Sequence, residues 1–466
     1  MARLPAERRL RGVIRPGGPD WVYLPVEVPP GVGELAVRYR YDRPPTPPGV
    51  PGNVLDLGLF DERGVGSEGF RGWSGGARDG FAVSASGATP GYLPGPVNPG
   101  TWQVVLGPYT VAPQGLAWEV EVSLAAGPPG PAFVPDPAPE RAAGRGRAWY
   151  RGDLHTHTVH SDGQRTPAEL AADARAAGLD FVASTEHNTP SASLGWGAHA
   201  GPDLLVLDGQ EVTTRDGHWL ALGLAPGALV DWRHRAADGL LGGVLDKLHA
   251  RGGLAVAAHP FCPFPGCGWR FGYEGLDAVE VWNGPWTPDD EAALAVWDGL
   301  LAARGGGRLL PAVAGSDAHG PADQVGHPHT VVLADGLDRR SLLSALAAGR
   351  CWMAASASVD LELEAAAAGR VAGIGGRLDV LPGQEVVVRL RVGGAAGGLA
   401  RLRSGAGTVL EARLAGDDET VEWTTTAAAT AWVRAEVRSA AHPGAMVALT
   451  NPVRLGPAEA SGRPPA

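Results

Sequence analysis

Lysine is almost missing from this chain of 466 residues: Lys247 stands alone, and arginine supplies the rest of the 39 basic side chains, against 50 acidic ones. The formal net charge is -11. A surface of that balance does not track a polyanion, so nucleic acid is not an expected partner. Cysteine is scarce too. Cys262, Cys267 and Cys351 are the whole supply and cannot build a disulfide framework; Cys262 and Cys267 are read as incidental packing near the site, and a reducing compartment fits. No apolar run is long enough to span a bilayer, and residues 1–9 lack the apolar core of a secretory signal. The expectation is a soluble, cytoplasmic protein with no membrane partner. The surplus of alanine, glycine, proline and arginine follows a coding bias as much as physics and carries no inference about fold.

What is present divides the chain. Its length exceeds what one hydrophobic core usually holds, which predicts two or three domains. Residues 1–125 carry short alternating segments such as Leu35-Ala36-Val37-Arg38-Tyr39 and Trp118-Glu119-Val120-Glu121-Val122 between glycine and proline turns, the pattern of a β-sandwich. Residues 126–148, with Pro128, Pro129, Pro131, Pro135, Pro137 and Pro139, read as a stiff linker or an arm wrapped over a neighbouring surface. Residues 149–356 alternate apolar strands with helical patterns, as a parallel α/β sheet or barrel does. Seven strands are predicted there, at 149–154, 180–184, 204–207, 219–224, 254–258, 278–281 and 311–314, a number that fits a closed barrel. Thr166-Pro167-Ala168-Glu169 predicts a helix start, and Gly178 its end. Alternation returns over 357–455, predicting a second β-sandwich, and 456–466 reads as a disordered tail.

The chemistry is concentrated in the middle. All thirteen histidines except His442 lie between residues 155 and 329. Nine nitrogen and oxygen donors stand out: His155, His157, Asp162, His187, Glu211, His218, His259, Asp317 and His319. Most fall at or just beyond the end of a predicted strand, and in parallel β/α barrels those ends converge on one face. His218 instead precedes its run. Side chains alternate along a strand, so His155-Thr156-His157 points both imidazoles the same way. Donors of this kind, without thiolate, predict a polynuclear metal site but do not choose the metal. Arg165 and Arg270 are the cations expected to contact a phosphate, although Arg165, beside a helix cap, also reads as a simply solvated side chain.

On these residues the middle domain resembles the PHP (polymerase and histidinol phosphatase) superfamily. The whole-chain pattern, including Phe70-Arg71-Gly72-Trp73-Ser74-Gly75-Gly76 and Pro90-Gly91-Tyr92-Leu93-Pro94-Gly95, is similar to the carbaryl-hydrolase-like CehA/McbA branch. The resemblance implies a distorted seven-stranded β/α barrel, flanked here by the two β-sandwiches, holding two or three divalent ions of zinc, manganese or iron. It implies that His155, His157 and Asp317 hold the first ion, that Glu211 bridges it to a second held by His218 and His259, and that Asp162, His187 and His319 hold a third. A hydroxide bridging two cations is a nucleophile near neutral pH. The expected function is therefore a phosphoesterase acting on a small phosphate monoester or diester, with Asp162 or His319 assisting protonation of the leaving group. The alternatives are a carbamate or carboxyl-ester hydrolase on the same site, and a non-catalytic module that binds carbohydrate or protein and keeps its metals for structure. The oligomeric state stays open.

Overall fold

The computed structural model describes residues 7–128, 130–304, 309–442 and 444–456. Pro129 and all of the expected tail beyond Gly456 lie outside the described residues. The chain is multidomain and mostly β, with few helices. No helix among the described residues is long and apolar enough to cross a membrane.

The first segment folds into two four-stranded antiparallel sheets. One contains Glu7–Ile14, Leu116–Ala126, Val32–Tyr41 and Gly80–Ser84; the other contains Val22–Val28, Gly100–Thr110, Val54–Phe60 and Phe70–Gly75. Buried and solvated positions alternate along Val22–Val28 and Val32–Tyr41, as two-residue periodicity requires. Their inward residues, among them Val26, Val37, Leu57, Trp102 and Val120, share one apolar cluster. Each such side chain contributes roughly 1.5–3 kcal/mol on burial. The proline-rich stretch that follows runs over the central unit and bonds to it: Asp136 N–H donates to Leu194 O at 2.8 Å, and Ala143 N–H to Pro202 O at 2.7 Å.

Seven central strands correspond to the predicted runs: Ala148–Asp153, Phe181–Ser184, Leu205–Thr214, Gly217–Leu222, Leu254–Ala257, Ala278–Asn283 and Ala312–Gly315. They form a curled sheet in that order, but the pairing is not uniformly parallel. The Gly217–Leu222 strand is antiparallel to both neighbours, because only Arg215 and Asp216 connect it to the Leu205–Thr214 strand. A connection that short makes a hairpin; a parallel return needs a crossover of a dozen or more residues. The ladder does not close on itself among the described residues. The loops after the first and seventh strands meet instead, through the parallel bridge between Thr156 and Ala318. The helix Pro167–Ala176 starts where predicted, with the Thr166 and Glu169 capping box formed and Leu170, Ala171 and Ala174 buried. Gly178 follows its end at φ 74°, a conformation open to glycine.

The sheet continues past the predicted boundary at 356. His329–Ala334 pairs with Cys351–Ala354, which pairs with Met446–Thr450, so the hydrogen-bonded ladder passes into the C-terminal strands. Arg434, fully buried, adds a second tie: its guanidinium donates twice to Asp298 on the helix Pro288–Arg304, both at 2.7 Å, and to Glu436 at 2.9 Å. Cys262 and Cys267 are disulfide-bonded, with Cα atoms 5.6 Å apart, which corrects their reading as unpaired thiols. Overall scarcity says nothing about two cysteines five positions apart on one tight loop, and the case for a reducing compartment loses that support. Cys351 is free and buried.

Candidate metal centre

Backbone geometry gathers the predicted donors before their side chains do so. Asp153, buried at the end of its strand, accepts N–H bonds from His155 at 3.2 Å, Ser316 at 2.9 Å and Gly326 at 2.8 Å, pinning the loops after the first and seventh strands together. Among the described residues four non-glycine positions adopt positive φ, and three lie in this region: Asn188, His259 and Asp317. Such conformations cost about 1–3 kcal/mol each and persist where the surroundings hold them. The antiparallel strand accounts for His218: running backwards, its beginning lies at the edge where the other strands end, and Thr213 pairs with His218 across the hairpin.

Glu211 is the hub. Its Oε1 lies 2.9 Å from His218 Nδ1 and 3.0 Å from His259 Nε2. Its Oε2 lies 3.2 Å from His155 Nε2, 3.3 Å from His157 Nε2 and 2.9 Å from His187 Nδ1. Asp317 Oδ1 is 3.0 Å from His157 Nε2 and 3.3 Å from His155 Nε2, and Asp162 Oδ1 is 3.2 Å from His319 Nε2 and 3.5 Å from His187 Nε2. The nine predicted residues are thus brought to one place.

Several converging atoms approach without hydrogen-bonding. The Nε2 atoms of His155, His157 and His218, with Glu211 Oε2 and Asp317 Oδ1, are buried and make no hydrogen bond. Each would cost about 1–3 kcal/mol if left so, whereas lone pairs facing a shared cation are satisfied. Donor atoms of His155, His157, Glu211 and Asp317 lie within 4.8 Å of one another, as do those of His157, Asp162, His187 and His319. These residues therefore fit divalent cations with nitrogen and oxygen donors.

The electrostatics agree. Burial pulls the His187 imidazole down, but the Glu211 and Asp162 carboxylates outweigh it and hold it at about 10. Burial likewise opposes the bond to Asp162 and the Asp317 charge at His319, which is held up at about 9. Burial pushes Asp162 and Asp317 upward, yet the imidazoles around them hold both below the usual carboxylate range. Burial dominates at His218, which is lowered.

The surrounding layer holds a residue that the sequence did not single out. Glu280 accepts from His155 Nδ1 at 3.0 Å and from the His259 N–H at 2.9 Å, orienting two donors at once. Glycine at position 315 is required here: a Cβ would sit 2.4 Å from His155 Cβ and 3.0 Å from Glu280 Oε1. Gly315→Ala is expected to lower the metal content after dialysis against excess cation, with the remainder of the fold retained by circular dichroism; unchanged metal content would show that the crowding is relieved elsewhere.

The two predicted arginines are not in this cluster. Arg165 is committed to the loop, donating to Asp173 at 2.7 Å and to the carbonyls of Gly320 and Asp323 at 2.6 Å. Arg270 has an exposed side chain. The cluster opens into a cavity of about 780 Å³ walled by Pro260, Phe261, Phe264 and Pro285, with neither lysine nor arginine in its lining. A second cavity, of about 490 Å³, reaches Asp162, His187 and His218 from the side of the N-terminal sheets.

Residues 308–351, which include Asp317 and His319, match the family described as PHP-associated. That match supports kinship with the PHP superfamily over this stretch. No curated protein sequence matches the chain. Among solved structures, a two-domain protein of Bacteroides vulgatus containing a predicted PHP-like metal-dependent phosphoesterase is 16% identical, with 69% of this chain and 99% of that chain covered and a TM-score of 0.37. An amidohydrolase from Chromobacterium violaceum, with bound sulfate and no metal, is 21% identical over 38% of this chain and 90% of that one, with a TM-score of 0.29. Similarities of that depth carry no weight beside the donor geometry.

Proposed function

We propose that the chain is a metal-dependent hydrolase of the PHP superfamily, in its CehA/McbA branch, acting on small phosphate monoesters or diesters. The observation that carries this reading is the convergence of buried atoms with no hydrogen-bond partner, the Nε2 atoms of His155, His157 and His218 with Glu211 Oε2 and Asp317 Oδ1. In it the 149–356 segment is a distorted β/α barrel and the flanking segments are β-sandwiches.

His155, His157 and Asp317 would hold one ion, Glu211 would be shared with a second site of His218 and His259, and Asp162, His187 and His319 would form a third. Bound divalent ions supply Lewis-acid charge and make water a usable nucleophile near neutral pH. The protein supplies the rest. Glu280 fixes the His155 ring through Nδ1 and leaves Nε2 facing the cluster. The His319 ring is held at Nδ1, 2.8 Å from Asp317 O, with Nε2 beside Asp162. With the third site unfilled, a proton at that Nε2, held beside the Asp162 carboxylate, would pass to a departing oxygen.

The protein loaded separately with zinc, manganese and iron should release phosphate or alcohol from a panel of phosphomonoesters and phosphodiesters, and His155→Ala should abolish that release. Inactivity on the whole panel, with His155→Ala matching wild type on some other substrate, would overturn the reading. One observation favours a second reading: the larger cavity is walled in part by Pro260, Phe261, Phe264 and Pro285 and has neither lysine nor arginine in its lining, which suits a neutral aryl carbamate or ester. Turnover of aryl carbamates with none of phosphoesters would decide for it.

A further inference from the structure

Arg215 sits at the tip of the hairpin that carries Glu211 and His218, one position beyond the Leu205–Thr214 strand. A turn of the composition Thr214-Arg215-Asp216-Gly217 ordinarily exposes its arginine, but this side chain is only 7% exposed. The N-terminal sheets cover it: the guanidinium lies over the rings of Tyr109 at 4.6 Å and Trp21 at 5.2 Å. Its Nη1 and Nη2 make no hydrogen bond. The nearest carboxylate, Asp56 Oδ2, is 4.0 Å away, beyond bonding range. Asp20 and Asp216 bond instead to Arg235, at 2.7 and 3.4 Å.

A buried guanidinium whose terminal nitrogens lack hydrogen-bonded partners is costly. A structural arginine in this position would be expected to close on Asp56. Arg215 instead lines the cavity of about 490 Å³ whose other wall includes Asp162, His187 and His218. It is thus a buried cation with unbonded nitrogens, presented in a chamber that opens onto candidate metal donors. The planar fork of the guanidinium matches a carboxylate or phosphate in two-pronged fashion.

We propose that this chamber is the leaving-group subsite, in which Arg215 binds a second anionic group, a carboxylate or a phosphate, carried by a small substrate whose scissile bond lies at the metal cluster. The position of the scissile bond rests on the function proposed above; the anion site on Arg215 does not. The N-terminal sheets then contribute directly to substrate choice, through Trp21, Tyr109 and Asp56. Asp56 is the competing charge, so an arriving anion must displace its attraction for Arg215.

Calorimetric titration of the metal-loaded full chain tests this without turnover. Benzoate and phenylphosphonate represent the two anion types, and benzamide is the neutral control. Wild type is expected to bind at least one of the anions tenfold or more tightly than benzamide, Arg215→Gln to lose that preference, Arg215→Lys to keep part of it, and Asp56→Asn to tighten anion binding severalfold. The Asp56 variant moves affinity upward, which a merely structural role for Arg215 would not do, and it stays informative if Arg215→Gln fails to fold. Equal anion binding by wild type and Arg215→Gln, or no gain in Asp56→Asn, overturns the proposal. The non-hydrolysable 4-carboxyphenylphosphonate reads the linkage to the metals: it should bind wild type tenfold or more tightly than phenylphosphonate, and Arg215→Gln without that gain. An Arg215-dependent preference for benzoate with no such gain would leave the anion site standing and overturn its placement beside the scissile bond.

Discussion

Glu211→Gln is expected to abolish turnover, with a loss of roughly 10³-fold or more, equivalent to about 4 kcal/mol of transition-state stabilisation. The substitution keeps the volume of the side chain and removes its charge. That charge faces five imidazoles, those of His155, His157, His187, His218 and His259, at 2.9 to 3.3 Å. A neutral amide offers one acceptor oxygen where two are used, and its NH₂ group would point a donor at a cation site. Metal analysis should show at least one ion fewer per chain, and activity should not return at saturating cation. Glu280→Gln is the informative comparison. Its carboxylate touches His155 Nδ1 and the His259 N–H, so it acts through the donors, and a loss of about 10–100-fold in metal affinity is expected. Excess cation should restore much of its activity. Equal losses in the two variants that cation does not rescue would mean that Glu211 is no more central than its surroundings.

This difference between Glu211 and Glu280 also shows what sequence reasoning can reach. Glu211 was legible because it follows an apolar run, as His187 and Asp317 do, and strand ends in an α/β sheet share an edge. Glu280 lies inside a run, in Ala278-Val279-Glu280-Val281, where an alternating polar residue reads as solvent-facing; the curl of the sheet turns that face inward, and Glu280 is 1% exposed. His218 broke the pattern because its strand is reversed, and the two-residue connection before it was the available signal. Arg215 could not be found locally at all. Its burial depends on Trp21, Asp56 and Tyr109, more than a hundred positions earlier in the chain, and no periodicity encodes a contact of that range. Arg165 and Arg270 are expected as phosphate contacts because the chain supplies few other cations there, but folding commits the first to Asp173 and the carbonyls of Gly320 and Asp323 and leaves the second exposed. The pairing of Cys262 with Cys267 was missed for the opposite reason: it is entirely local, and counting cysteines over the whole chain hid it.

The strongest effect of conditions should come from pH acting on metal retention. In the stripped protein the raised values of His187, about 10, and His319, about 9, mean that these rings are protonated at neutral pH and paired with the Glu211 and Asp162 carboxylates. Relative to an unfolded histidine near 6.5, that pairing stabilises the stripped fold fully below about pH 6.5 and is lost as the pH rises through about 9 and 10. The depressed carboxylates Asp162, Asp317 and Glu211 act at the other end, contributing above about pH 4 and failing only in stronger acid. Cation binding has the opposite dependence, because the same imidazoles must give up their protons to serve as donors. Between pH 6.5 and 9, then, the stripped protein loses stabilisation while the loaded protein gains it, and the gap between their melting temperatures should widen steadily. Loading at pH 7 in weak buffer should release protons in step with the cation taken up. A gap that stayed constant or narrowed with rising pH, or uptake without proton release, would mean that these histidines are not the groups exchanging protons for metal.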